Sequence, residues 1–327
     1  MVFLFKSKSI GTIFFLVALC CAVHAHLFVR HSVTILSEDS GVISYSLQHF
    51  FPQIYYPAIA PFAYLAIILI QAIRLNVLLN DLRMYNSSGF TAALSYILLT
   101  AIVPQWSSLT PAIIANSFVI WVFIYLSKLY NAQNPKSTLY NTGLLVGCSF
   151  LCYHPTIILI AVVLFALAVV RPFILSEWFV LLMGILTPVY LYVSFLFLDN
   201  RMYVFYATLP HFVLNMPIRN TDIWLWIKMG SILGMLVLGI QYWSLQNNRM
   251  VIQIRKNWSA MFVMVVIMLP IPFVFKNGGL ESATLCIIPL SAFIGNTYLY
   301  PKKWLLPNLL FLISIVLIVH SNWTLSK

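Results

Sequence analysis

Charge is what this sequence has least of. Only 8% of its 327 residues are Asp, Glu, Lys or Arg, and only seven of those are acids. A soluble domain carries about 25% charged residues, so a water-soluble fold is excluded. Signature motifs are lacking too: there is no phosphate-binding P-loop, no G-x-G-x-x-G, no H-E-x-x-H and no nucleophile elbow, which argues against an ATP-driven enzyme or a standard hydrolase. The five cysteines (Cys20, Cys21, Cys148, Cys152, Cys286) lie inside apolar runs, without the spacing or His partners of a zinc site. They read as small buried hydrophobes. In mid-span the one charge is Lys228, whereas ion-coupled transporters usually carry several near the membrane midplane.

What is present is hydrophobicity: 62% apolar residues and a mean hydropathy of +0.95. Apolar runs of about 18 to 23 residues, enough to cross a ~30 Å hydrocarbon core, recur along the whole length. They predict an all-α, polytopic transmembrane bundle forming a single integral membrane domain over 1–327. Eleven spans are expected, near 9–28, 58–79, 90–104, 110–128, 139–153, 155–171, 178–197, 223–243, 258–275, 281–298 and 304–322. The first ends in Cys21-Ala22-Val23-His24-Ala25, which resembles a signal-peptide cleavage site; with ten further spans following, an uncleaved first span is expected. The net charge of +11 resides in short loops between spans, a mark of membrane orientation rather than of a nucleic-acid partner.

With the N-terminus in the cytoplasm, twelve Lys and Arg fall inside and five outside, Lys228 lying just within a span. The positive-inside rule selects this orientation. It places all seven histidines, and five acids (Glu38, Asp39, Asp199, Asp222, Glu281), on the outer side. Two explanations stand. These groups supply acid/base chemistry there, or acids simply avoid the basic side while histidines settle at interfaces.

Two outer loops, about 29–57 and 198–222, are long enough to build a site. In the first, Ser37-Glu38-Asp39 precedes an apolar-periodic stretch through His49, a helix-start pattern that predicts an interfacial amphipathic helix with an acidic pair at its positive end. A carboxylate there suits sugar transfer from a lipid-phosphate donor: Glu38 or Asp39 as general base, with Arg201, Arg219 or Lys228 on the leaving phosphate. The alternatives are a solvated helix cap for the acids, and interface anchoring or snorkelling for the cations. His49, His154 and His211 are further candidate substrate-binding residues. No cofactor is expected and no metal ligand is assigned, although the outer His and acids permit a divalent ion.

The runs Asn141-Thr142-Gly143-Leu144-Leu145-Val146-Gly147, Tyr153-His154-Pro155, Val170-Arg171-Pro172-Phe173, Glu177-Trp178 and Gly184-Ile185-Leu186-Thr187-Pro188, with Ser108-x-x-Pro111-x-x-Ile114-x-Asn116 before them, resemble a family of Bacteroidota-type polytopic inner-membrane proteins without an assigned activity. The similarity is strongest over about 65–200. More distantly, the order of first span, acid-bearing outer loop, basic turn, paired spans and tight hairpin is similar to the GT-C glycosyltransferases, which use polyprenyl-phosphate sugars. That resemblance implies a GT-C-like arrangement, a bacterial inner-membrane location and a catalytic acid in the first outer loop, matched here by Glu38 or Asp39. Two departures from it are the Tyr45 spacing after the acids and the lack of a large C-terminal periplasmic domain. Its rival is a non-enzymatic membrane subunit or scaffold of an envelope assembly for secretion, motility or surface-polymer export, bound to envelope proteins.

Overall fold

The structure, a computed structural model, describes residues 2–29, 41, 59–207, 223–247, 249–275, 279–301, 303 and 305–324. Glu38, Asp39, His49, His211 and Arg219 lie outside the described residues. Among those described, the fold is all helical. Its principal helices are α1 (Ile10–Val23), α2 (Ala60–Asp81), α3 (Thr91–Ile102), α4 (Pro111–Lys128), α5 (Pro135–Cys152), α6 (Ile158–Val170), α7 (Leu175–Leu198), α8 (Ile223–Asn247), α9 (Ile252–Met268), α10 (Ile287–Leu299) and α11 (Leu305–Val319).

Each expected apolar stretch coincides with a helix, but length and composition divide them. Among the described residues seven helical stretches are long and apolar enough to cross a membrane: Ala60–Asp81, Pro111–Lys128, Leu175–Leu198, Ile223–Asn247, Ile252–Val274, Ser282–Leu299 and Leu305–Trp323. Ile10–Val23, Thr91–Ile102 and His154–Val170 are shorter. At 1.5 Å per residue a 12-residue helix such as α3 reaches only about 18 Å. Every residue of α3 is buried, so its ends meet protein rather than lipid, where a short or broken helix is tolerated. By contrast only 22% of the apolar window of α7 is buried: it is a peripheral, lipid-facing helix.

Buried α3 and the Ser282–Leu299 stretch, 94% buried, form the centre. They pack closely, Ser95 donating to the Ser291 carbonyl at 2.7 Å and Tyr85, just before α3, to that of Ala292 at 2.7 Å. On the other side of α3, Tyr96 donates to Gln71 (2.7 Å), whose amide donates to the Ile113 carbonyl (2.7 Å), joining α3 to α2 and α4. These bonds satisfy polar groups where water is absent. The peripheral pair α5 and α7 is held by small residues: Gly143 and Gly147 face Gly184 and Pro188 so closely that a Cβ at any of the three glycines would collide with the facing helix. Close backbone approach of this kind is how membrane helices associate without a hydrophobic force between them.

The described ionisable groups sort to opposite ends. At one end Lys6 donates to the Leu299 carbonyl (3.0 Å), Arg171 to those of Leu129 and Ala132 (both 3.0 Å), and Lys256 to that of Val170 (2.9 Å). Burial lowers the Lys6 pKa. At the other end lie His24, Tyr153, His154, Lys228, Glu281 and His320. Cross-links there run from Asn116 to the Thr284 carbonyl (3.0 Å) and from Asn322 to that of Ala101 (3.0 Å).

Candidate functional site

The far end is organised around the loop that joins α3 to α4. Tyr64 donates to the carbonyl of Trp106 at 2.9 Å, and the Trp106 indole donates to the carbonyl of Leu280 at 2.8 Å. This chain of bonds fixes Glu281, the next residue, at the head of the buried Ser282–Leu299 stretch. Burial raises the Glu281 pKa, because a carboxylate taken out of water favours its neutral form. The Tyr153 phenol is held protonated, by its own burial first and by the negative charge of Glu281 second. Glu281 therefore stands beside the tight turn between α5 and α6.

Gly41 meets the same turn. It adopts φ +143°, a conformation that glycine tolerates and L side chains rarely adopt, and lies against the backbone carbonyl of Cys152. Gly41 thus meets the end of α5, at the backbone carbonyls of Leu151 and Cys152.

Below this polar layer is an apolar cavity of about 210 Å³. Its lining includes Trp106, Leu280 and Ala283 together with Trp226, Leu233 and Phe273. It continues to Leu290, roughly 15 Å along the helical stretch at 1.5 to 2.0 Å per residue.

The candidate residues fall at different places around this end. His154 is buried in the turn, its ring 5.3 Å from that of Phe150. Lys228, on α8, is 2% exposed and donates to Ser321 Oγ at 2.9 Å. Ser321 belongs to a π-helical turn, His320–Thr324, in which His320 stacks on Trp224 at 3.6 Å. Arg201 follows the peripheral α7, is exposed, and pairs with Asp199 at 3.1 Å. The structure brings Lys228 next to the helix face that walls the cavity, and His154 next to Glu281's neighbour Tyr153; Arg201 follows a helix, α7, that packs mainly on α5.

Glu281, Tyr153 and Trp106 were not among the residues singled out from sequence. The available signal was that Glu281 is one of five acids on the side opposite the basic loops. His24 is a core histidine, with Nδ1 3.1 Å from the Cys20 carbonyl and its ring 5.4 Å from that of Tyr64. Among the described residues no three His, Cys, Asp or Glu side chains are grouped as a metal site requires.

Among the described residues, an all-helical bundle with seven apolar, membrane-length helices and ionisable groups divided between two ends defines a multi-pass membrane protein. No model of a known protein family, no curated protein and no solved structure matches the chain.

Proposed function

We propose that the protein is a GT-C-like transferase that moves a sugar from a lipid-phosphate carrier to an acceptor hydroxyl at the extracytoplasmic face of a bacterial inner membrane. The observation that carries this is the apolar cavity lined by Leu280, the residue before Glu281, at the end where Gly41 meets Cys152. A carrier's hydrocarbon chain fits a dry slot of this shape, and its phosphate then comes level with polar groups. The excess of basic residues at the opposite end supports the choice of face, since that end faces the cytoplasm in such proteins.

In the reaction the acceptor oxygen bonds to the sugar's anomeric carbon as the bond from that carbon to the phosphate oxygen breaks. The acceptor's proton goes to a carboxylate, and the electron pair leaves with the phosphate. Glu38 or Asp39 is the base expected by resemblance. Glu281 is a third carboxylate suited to the task, since a raised pKa brings a general base closer to neutral pH. Lys228 is the cation assigned to the leaving phosphate: its helix also lines the cavity through Trp226, Met229 and Leu233, and a cation in an apolar setting acts strongly on a developing anion.

The test compares lipid-linked and protein-linked glycans in cells lacking the gene, cells with it restored, and cells carrying either a Glu38→Gln, Asp39→Asn pair or Glu281→Gln, with protein abundance checked. A carrier-linked sugar that accumulates on deletion and is cleared only by the unchanged gene supports transfer. Glycans unchanged on deletion reject it, and co-purification of a stoichiometric envelope protein then favours the scaffold role.

A further inference from the structure

A second cavity, of about 350 Å³, opens at the basic end between α2, α4 and the start of α9, remote from the site above. Its lining includes Arg74, Lys128, Asp81 and Gln253. Arg74 is seven residues before the end of α2, which puts its Cα about 10 Å inside that end at 1.5 Å per residue. Its guanidinium lies over the Trp121 ring at 5.1 Å, and Lys128 lies over Tyr125 at 5.4 Å. Each cation is therefore held by an aromatic face of α4. Among the described residues no carboxylate comes within 4.0 Å of either, although Asp81 stands in the same lining.

A guanidinium two turns inside a membrane-length helix is costly without an anion, and a cavity large enough to admit one adjoins it. We infer that this cavity binds a phosphate-bearing headgroup, with Arg74 and Lys128 on the phosphate oxygens and the Gln253 amide as a neutral donor. Two cations against Asp81 leave a net charge of +1, which matches a singly charged phosphodiester. Arg74 supplies the planar, two-pronged contact that phosphate oxygens favour. Ser127 also lines the cavity but donates its hydroxyl to the Ile124 carbonyl at 2.8 Å, so it contributes little to an anion. The depth of Arg74 favours a lipid as the source of the phosphate.

The experiment uses the full chain in mild detergent, with retained ligand counted by native mass spectrometry. Phosphatidylglycerol is the lipid probe, a diacylglycerol lacking phosphate the control, and inorganic phosphate the soluble competitor. One phosphatidylglycerol per chain is expected to survive detergent washing, with diacylglycerol washed out. Arg74→Gln with Lys128→Gln should lower retention at least tenfold, and Arg74→Lys should lower it less. Lys136→Gln with Arg249→Gln, which removes two exposed charges from the same end but outside the cavity, should leave retention unchanged. Displacement by millimolar inorganic phosphate means the site takes phosphate from either source; resistance to it means the lipid is the ligand. Equal losses in the two double variants, or equal retention of diacylglycerol, overturn the proposal. Thermal unfolding without added lipid checks folding. If the Arg74 double variant is unstable, the exposed Lys128→Gln alone decides, with about a threefold loss expected and no loss counting against the site.

Discussion

Gly41 and Cys152 are in backbone contact: a Cβ placed on Gly41 would lie 2.5 Å from the Cys152 carbonyl oxygen, and Gly41 has a φ of +143°. Both facts forbid a side chain. Gly41→Ala is therefore expected to open the contact between residue 41 and the end of α5 without unfolding the bundle, whose central helices it does not touch. Strain of about 1 to 3 kcal/mol corresponds to a roughly five- to 150-fold rise in the opened population. Cys152, fully buried, reports it. In a chain whose other four cysteines are serine, a water-soluble thiol reagent should label Cys152 that much faster in the alanine variant, and equal rates would show that the contact does not shield Cys152.

The all-helical architecture and the segregation of charge were legible in the sequence because hydropathy and the positive-inside rule read bulk properties of long segments. The number of membrane-length helices was not. Hydropathy responds alike to a helix that faces lipid and to one enclosed by protein. α3 is apolar because it is the buried centre, α7 because it borders lipid, and only packing tells them apart. Helix α5 begins at Pro135, four residues earlier than the polar Lys136-Ser137-Thr138 run suggested, because proline suits the first helical position. The site was less legible still. Lys228 stood out as the lone mid-span charge, whereas Glu281 becomes notable only once Trp106, 174 positions away in the chain, is seen to hold Leu280.

Arg171 and Glu177 join the end of α6 to the start of α7. Arg171 Nε lies 3.3 Å from Glu177 Oε2, with side chains 16% and 6% exposed, while Nη1 donates to two carbonyls beyond α4. Glu177→Gln leaves the guanidinium half-buried without its counter-charge and is expected to cost about 2 kcal/mol, within the range for a lost bond to a charged group. Removing both charges with Arg171→Met and Glu177→Leu should recover much of that loss, since no uncompensated charge remains. Unfolding in mild detergent measures both variants. If the double variant is as unstable as the single one, the two carbonyl bonds of Arg171, rather than its ion pair, secure this corner.

Glu281 gives the fold a defined response to pH. Burial raises its folded-state pKa above the ordinary carboxylate value of 4.5, so the folded chain holds this proton more tightly than the unfolded chain does. The stabilisation from proton binding is therefore fully present below the unfolded value and is lost as pH rises through the folded one. Glu281→Gln keeps the shape of the protonated acid and cannot ionise. Its melting temperature should match that of the unchanged protein near pH 4 and exceed it increasingly toward pH 8. The same variant should lose transferase activity across the whole range if Glu281 takes the acceptor's proton. A stability gap that grows with pH, accompanied by full activity, would mean that Glu281 is buried for structure alone and that the base lies in the first outer loop.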